Sequence, residues 1–282
     1  MTDMKKTTVP VVFTFDENYA PGAGVAIQSL LANQKDTTEY DIYALYTDLK
    51  DETRDLLSRW HPINWIKLDI KMFEGLPVTE RYNVSVWYGS AIPEILTDLD
   101  RVIYSDVDVL FKCDLAELFA MHLRGKCCAA VPECYNNIPD RDCRSLMGDI
   151  IYIGDIIVMN LARLRKLHSC RSMFETGKKI GITPSMQMDI FNIVAKDEIV
   201  PLPLEYDIPD FVYHNPHGGG FQTEIYSAER VDEALRNAKR IHYTADHELN
   251  KIWEWPPEEI PQEYLQYLVK TGLYKYGTSL EG

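Results

Sequence analysis

The feature that most constrains the fold is a regular alternation of short apolar runs with segments of helical spacing. The apolar runs are rich in β-branched and aromatic residues, which favour buried strands. They lie at Val9–Phe15, Asp41–Tyr46, Trp65–Ile70, Arg101–Ser105, Ala129–Val131 and Ile156–Met159. Helical spacing occurs between them, for example at Asp51–Arg59, Leu161–Leu167 and Gln187–Ala195. This order predicts an α/β fold with a mixed, mainly parallel sheet flanked by helices.

Two proline-containing segments give local predictions. Pro21, Gly22 and Gly24 predict a loop after the first strand. Pro93 is expected near the start of a helix that runs into Leu96, because the first turn of a helix tolerates proline.

The length of 282 residues suits one structural domain, and no Gly/Ser-rich or Pro-rich linker divides the chain. After Pro201 the periodic pattern loosens, and a glycine-rich stretch at 214–221 predicts a mobile loop. We therefore expect a core at 1–215 and a C-terminal extension at 216–282 that completes the site, within a single domain.

Charge and composition exclude several classes of function. The formal net charge of −14 argues against binding to nucleic acid and to anionic lipid surfaces. No apolar run is long enough to span a bilayer, and the start has no signal-peptide run, so at most weak membrane association is expected. The six cysteines lack paired CxxC spacing, which indicates reduced thiols and a cytoplasmic location. The oligomeric state is not determined by these features.

An acidic pair follows the strand Arg101–Ser105. Asp106 and Asp108 are two residues apart, so in extended chain they project to the same side and can share one hard cation. Mg²⁺ and Mn²⁺ prefer oxygen ligands and complete their coordination with phosphate oxygens. In open α/β sheets, ligands bind beyond the carboxyl ends of the strands, where this pair is predicted to lie.

Two other pairs have the same spacing. Asp98 and Asp100 precede the strand and predict a solvated turn, whereas Asp140 and Asp142 lie in a charged loop. Only the pair at 106 and 108 has apolar residues on both sides, which implies burial of the carboxylates. Buried carboxylates need compensation, so a metal site and an arginine-paired structural cluster both remain open.

Four separated blocks of this sequence resemble glycosyltransferase family 8, which includes bacterial lipopolysaccharide galactosyl- and glucosyltransferases and glycogenin. The blocks are Val11–Tyr19, Arg101–Leu110, Gln187–Asn192, and His242-Tyr243 followed by Lys251–Trp253. The resemblance implies a GT-A-type, Rossmann-like fold. It further implies a metal-dependent, retaining transfer of a hexose, glucose or galactose, from a UDP-sugar donor to a glycan or other hydroxyl acceptor.

The resemblance also implies roles for individual residues. Asp106, Asp108 and His242 would be the ligands of Mn²⁺ or Mg²⁺. The nucleotide would be bound by Asp16, Asn18, Tyr19 and Lys251. Asp189 and Gln187 would line the donor-sugar pocket as catalytic residues. Ordinary structural roles remain open for several of them: a turn that caps the next helix at Asp16 and Asn18, an acidic first helical turn at Asp189, and a structural histidine at His242.

The donor-sugar side departs from the family pattern. Gly89, or Ser90 with a one-residue slip, stands where the family has an arginine, and Ile153-Gly154-Asp155 stands where it has Asn-Ala/Ser-Gly. Asp155 is therefore expected to serve as a sugar contact, and so is Glu133, which replaces an aspartate. These changes are compatible with an unusual donor or with a weakened enzyme.

Two other functions remain open from the sequence. A nucleotidyltransferase of related fold would carry a glycine-rich loop with a basic residue near the first strand, and Pro21-Gly22-Ala23-Gly24 lacks that residue. A nucleotide-sugar-binding protein with a weakened active site would retain the same blocks without turnover.

Overall fold

The computed structural model describes residues 6–80, 82–134, 143–215, 225–244 and 251–274. The strands are β1 Thr7–Thr14, β2 Thr38–Tyr46, β3 Ile63–Lys67, β4 Arg101–Ser105, β5 Val109–Phe111, β6 Cys128–Pro132, β7 Tyr152–Asn160, β8 Ile199–Pro201, β9 Ile208–Pro209 and β10 Arg240–His242. The helices are α1 Ala20–Ala32, α2 Asp51–Leu57, α3 Tyr88–Ile95, α4 Ala116–Phe119, α5 Leu161–Lys166, α6 Ser169–Ile180, α7 Gln187–Val194, α8 Asp210–His214, α9 Ala228–Arg236 and α10 Gln262–Leu268. The pair Asp140 and Asp142 and most of the loop predicted at 214–221 lie outside the described residues.

A seven-stranded sheet with the order β3-β2-β1-β4-β7-β6-β8 forms the centre of the fold. Only β7 runs antiparallel to its neighbours among these strands, which confirms the mixed, mainly parallel sheet predicted from the sequence. The reversal of β7 places its first residues beside the carboxyl ends of β4 and β6: Ile156 pairs with Ser105, and Tyr152 pairs with Pro132. Side chains from three strands therefore meet at one edge of the sheet.

The central strands are buried on both faces of the sheet. In β1, Val11 and Phe13 belong to the apolar cluster that contains α1, whereas Val12 belongs to the cluster that contains α3, α5, α6 and α7. Alternate residues of a strand point to opposite faces, so helices cover both sides, as predicted.

A second, three-stranded sheet has the order β5-β10-β9 and continues from the edge where β4 ends. The strand β10 comes from the C-terminal extension, and it pairs antiparallel with β5 and parallel with β9. Val25 of α1 and Leu110 of β5 share a buried cluster with Ile241, Ile252 and Leu268. The extension is thus packed against residues from the first half of the chain.

Two local predictions from the sequence are wrong. The segment with Pro21, Gly22 and Gly24 is not a loop but the first turn and a half of α1, where Trp253 packs so closely that a Cβ on Gly22 would lie 2.4 Å from its ring. The helix α3 begins at Tyr88 rather than near Pro93, which lies inside it. Burial of Tyr88 and the rest of the first turn outweighs the proline penalty, because tertiary packing overrides local propensity.

Two further structural facts bear on the class of protein. None of the helices in the described ranges is long and apolar enough to cross a bilayer. All six cysteines are free thiols.

Candidate functional site

A cavity of about 370 Å³ opens at the carboxyl ends of β1 and β4. This is the edge at which a sheet of this class binds its ligands. Many of the site residues predicted from the sequence line it: Tyr19, Asp106, Asp108, Asp155, Gln187, His242 and Lys251. The fold thus brings together residues that are up to 232 positions apart in the chain, from Tyr19 to Lys251.

The two carboxylates of the acidic pair lie in the turn that joins the large sheet to the small one. The N–H of Asp106 donates to the carbonyl of Asp155 in β7 at 2.8 Å. The carbonyl of Asp108 accepts from the N–H of Tyr243, which follows β10, also at 2.8 Å. The position of each carboxylate is therefore fixed by main-chain bonds to a strand from another part of the sequence.

Asp106, Asp108 and His242 converge at the cavity wall. Each offers one ligand atom, and these atoms lie within 4.8 Å of one another. The Nε2 atom of His242 is 3.4 Å from Oδ1 of Asp108. One oxygen of Asp106 accepts a hydrogen bond of 2.5 Å from the hydroxyl of Tyr104. Two carboxylates and one imidazole make a donor set that suits Mn²⁺ or Mg²⁺.

Asp106 and Asp108 do not form the arginine-paired structural cluster that the sequence left open. The cationic partner of Asp108 is Lys251, whose Nζ lies 2.7 Å from Oδ2. Among the buried residues of the described ranges, the arginine is Arg240, and it pairs with Asp207 instead.

Burial and mutual repulsion shape the electrostatics of the site. Burial raises the pKa of Asp106 to about 8, and the neighbouring carboxylates of Asp155 and Asp108 add to the effect. Burial also acts to raise the pKa of Asp108, but Lys251 and His242 outweigh it and hold that pKa below its ordinary value. Burial opposes protonation of His242, yet the two flanking carboxylates raise its pKa. A cluster with this much negative charge is one that a divalent cation would stabilise.

A second group of polar side chains adjoins His242; Arg240 and Asp207 in it are buried, whereas Asp155 is partly exposed and lines the cavity. The Nδ1 atom of His242 is 2.9 Å from Oδ2 of Asp155 and 3.8 Å from Oδ1 of Asp207. Arg240, whose side chain is fully buried, pairs with Asp207 and donates to the carbonyl of Asp155 at 2.8 Å. The imidazole therefore has a carboxylate at each of its two nitrogens.

The residues predicted to bind a nucleotide are only partly gathered at the cavity. The half-buried ring of Tyr19 lies in the wall, 5.2 Å from Nζ of Lys251 and edge-to-face with Trp253. Asp16 accepts hydrogen bonds from the N–H of Asn18 and from the side chain of Asn83. Asp16 thereby caps the short 3-10 helix Glu17–Tyr19, the structural role that the sequence left open. Base binding by Asp16 and Asn18 stays a prediction.

The residues predicted to contact a sugar are also divided. Gln187 lines the cavity opposite Gly154, where an added Cβ would lie 3.9 Å from its Oε1. Asp189 is fully buried at the start of α7 and accepts from the N–H of Ser185 at 3.0 Å. Glu133 is buried just after β6, where its N–H bonds to the carbonyl of Ile151. Their roles towards a sugar stay predictions.

Three residues of the site were missed by sequence reasoning. Tyr104 could have been found, since it lies two positions before Asp106 and so projects to the same side. Arg240 and Asp207 carry no such signal, because they meet only where β9 pairs with β10. At Gly89, an added Cβ would lie 3.3 Å from the ring of Tyr104, closer than an ordinary van der Waals contact.

Comparison with known proteins identifies the family to which this chain is similar. Residues 10–254 match the family described as glycosyl transferase family 8. The chain is 23% identical over 215 residues to a lipopolysaccharide 1,2-glucosyltransferase of Escherichia coli, covering 72% of this chain and 63% of that protein. It is 26% identical over 136 residues to general stress protein A of Bacillus subtilis (strain 168), covering 46% and 48% respectively. The aligned part thus spans about half of the Bacillus protein and less than two thirds of the Escherichia coli protein.

Solved structures agree with the fold. The galactosyltransferase LgtC, determined in complex with donor and acceptor sugar analogs, superposes with a TM-score of 0.74 at 19% identity. The superposition covers 94% of this chain and 95% of that one. At this level of identity the similarity establishes the architecture of the sheet and helices.

Proposed function

Because this chain belongs to glycosyl transferase family 8, we propose that it is a metal-dependent, retaining glycosyltransferase. It moves a hexose, glucose or galactose, from a UDP-sugar to a hydroxyl group of a glycan or other acceptor. The observation that carries the proposal is the convergence of Asp106, Asp108 and His242 on a cavity at the carboxyl ends of β1 and β4. The lipopolysaccharide glucosyltransferase among the relatives supports a glycan acceptor.

The metal would be held by Asp106, Asp108 and His242. The fit rests on the donor set and on the burial and neighbouring negative charge that raise the pKa of Asp106. When bound, Mn²⁺ or Mg²⁺ supplies charge neutralisation to a diphosphate leaving group. Tyr104 and Lys251 each hold one oxygen of the acidic pair, and this restricts the orientation of both carboxylates before a ligand arrives.

The nucleotide portion of the donor is assigned to the side of the cavity that contains Tyr19 and Lys251. The Lys251 ammonium, fixed between Asp108 and the Tyr19 ring, adds a positive charge for the diphosphate. The aromatic face of Tyr19 suits a planar base. Asp16 and Asn18, at the end of β1, are proposed to bind uracil and ribose with their polar groups.

The sugar portion is assigned to the side with Gln187, next to the buried Asp189, and Glu133 is proposed as a more distant contributor. The carboxylates of Asp106, Asp108 and Asp155 in the cavity wall are engaged by Tyr104, Lys251 and His242, respectively. Asp189 accepts a main-chain N–H. A same-face attack needs no enzyme nucleophile, since the departing phosphate can take the acceptor proton. Catalysis then depends on positioning and electrostatics.

The nucleotidyltransferase alternative is disfavoured by the conformation of the first glycines. Such an enzyme would present them as a loop around phosphates, whereas Gly22 and Gly24 lie inside α1 and contact Trp253 and Thr271. A cytoplasmic location goes with the proposal, because the six cysteines are free thiols.

The proposal is tested by measuring UDP release from UDP-glucose and UDP-galactose, with and without MnCl₂, in the presence of a panel of glycan acceptors. We expect release from at least one donor that requires the metal and stops with EDTA. Release of pyrophosphate from UTP and a sugar 1-phosphate would support the nucleotidyltransferase instead. Binding of UDP-sugars without any turnover would indicate a binding protein with a weakened site.

A further inference from the structure

We propose that Asp155 is a positioning residue for His242, which it holds with Nε2 directed at the metal-binding carboxylates. The inference rests on the proposed function, and it gives Asp155 a role different from the sugar contact expected from the sequence. The observation behind it is the arrangement of carboxylates around the imidazole, with Asp155 at Nδ1 and Asp108 at Nε2.

The two ring nitrogens of His242 have different surroundings. Nδ1 is 2.9 Å from Oδ2 of Asp155, a hydrogen-bond distance, whereas Nε2 is 3.4 Å from Oδ1 of Asp108. At this distance the carboxylate oxygen of Asp155 accepts the hydrogen bond that the Nδ1–H group donates. A cation that displaces the Nε2 proton would then find the lone pair of that nitrogen while Nδ1 keeps its hydrogen, which is how a carboxylate usually orients a metal-binding histidine.

Asp155 is itself fixed at the junction of the two sheets. Its carbonyl accepts from the N–H of Asp106 and from the guanidinium of Arg240, each at 2.8 Å. The same residue therefore binds the backbone of one proposed metal ligand and the side chain of another. A displacement of Asp155 would therefore change the positions of both Asp106 and His242.

The other carboxylate near Nδ1 cannot take this role. Asp207 is 3.8 Å from Nδ1, which is too long for a hydrogen bond. Its nearest partner is Arg240, with which it forms a buried ion pair. Among the described residues, Asp155 is thus the carboxylate within hydrogen-bond distance of Nδ1 of His242.

The test measures binding of Mn²⁺ alone, without a sugar nucleotide, by electron paramagnetic resonance titration of the full chain. We expect Asp155→Ala to weaken Mn²⁺ binding by about 10- to 100-fold, the usual effect of removing such a partner. Asp155→Asn should lose less, because its amide oxygen can still accept the Nδ1 hydrogen. Near-UV circular dichroism checks that both variants retain the native fold.

Gln187→Ala is the matched control. Gln187 lines the same cavity, but the side chains placed at the two nitrogens of His242 are the carboxylates of Asp108 and Asp155, so Mn²⁺ should bind to this variant as it does to the wild type. Its donor KM is expected to rise instead. If Asp155→Ala bound Mn²⁺ like the wild type and raised only the donor KM, Asp155 would be a sugar contact and the inference would be wrong.

A spectroscopic readout does not depend on activity. In the Mg²⁺-bound protein, the ¹⁵N shifts of His242 should show a protonated Nδ1 and an unprotonated Nε2. In Asp155→Ala this preference should disappear. If no UDP-sugar were turned over but Asp155→Ala still weakened Mn²⁺ binding, the inference would stand and the proposed function would fall. Metal-dependent turnover with unchanged Mn²⁺ affinity in Asp155→Ala would overturn the inference and leave the proposed function in place.

Discussion

At the scale of single residues, Asp108 is the point where three parts of the chain meet. Its side chain contacts Lys251 and lies beside His242, and its carbonyl accepts from Tyr243. Lys251 and His242 interact with the negative charge of this carboxylate. Substitution by Asn keeps the side-chain volume and removes the charge, so it tests the charge alone.

Asp108→Asn should lower kcat by about 10²-fold or more, since the interaction that stabilises leaving-group charge is lost. UDP release measured with saturating donor and MnCl₂ checks this. Asp100→Asn is the control: that carboxylate belongs to another Asp-x-Asp pair but is 90% exposed, and the variant should be fully active. Normal turnover in Asp108→Asn would contradict the proposed metal site.

Asp114 is a buried carboxylate with a structural role. It accepts from the N–H groups of Lys35 and Ala116 and from the hydroxyls of Thr38 and Tyr40. Burial acts to raise its pKa, but these donors outweigh burial and hold the pKa below its ordinary value. The residue thereby fixes the start of α4 to the connection between α1 and β2.

Asp114→Asn should reduce the free energy of unfolding by about 2 kcal/mol at neutral pH, the value typical of hydrogen bonds to a charged group. Because the folded pKa is the lower one, this contribution is fully present above the unfolded pKa of about 3.9 and disappears as the pH falls through the folded pKa. Urea unfolding at pH 7 and near pH 3.5 measures the difference. The exposed Asp98→Asn should change stability by less than about 0.5 kcal/mol.

At the scale of elements, the packing of α1 against the segment after Lys251 determines part of the site. A Cβ on Gly22 would lie 2.4 Å from the ring of Trp253 and 3.0 Å from the carbonyl of Val107, which lies between Asp106 and Asp108, the proposed metal ligands. The absence of a side chain at Gly22 is therefore needed for Lys251 and the acidic pair to approach each other.

Gly22→Ala should destabilise the protein by about 1–3 kcal/mol through overpacking and should also weaken UDP binding. Gly177→Ala separates the two effects, because its Cβ would lie 2.5 Å from the ring of Trp87, a residue that does not line the cavity. Calorimetric titration with UDP and Mn²⁺, well below the unfolding temperature, should show weaker binding only for Gly22→Ala. Equal affinities for both variants would disprove the coupling between α1 and the site.

At the scale of the whole molecule, the C-terminal extension shares its apolar contacts with the core. Val231 and Ala234 of α9 belong to the same buried cluster as β1, and α10 contributes to a cluster with Val25 of α1. The small sheet also needs β10, which lies between β5 and β9. Core and extension therefore share one hydrophobic interior.

A chain that ends at residue 215 should not fold cooperatively, because β5 and β9 lose the strand between them and α1 loses its cover. Urea unfolding followed by far-UV circular dichroism and by tryptophan fluorescence should give one coincident transition for the full chain and none for the fragment. Cooperative unfolding of the 1–215 fragment would instead make the extension a separate unit.

The sequence determined those features that depend on local patterns. Apolar runs predicted the central strands, because a strand buried on both faces must be apolar throughout. The spacing of Asp106 and Asp108 after such a strand predicted carboxylates at its end, and the order of four blocks predicted the family. These signals are short in range and do not depend on which elements become neighbours.

Only the tertiary structure decided which of these residues meet. The reversal of β7 places Asp155 beside β4, and the pairing of β10 with β9 places Arg240 beside Asp207. Neither event leaves a local pattern, since both depend on contacts between distant segments. The same reason explains the glycines of α1 and the start of α3, where packing of Trp253 and burial of Tyr88 outweighed local propensity.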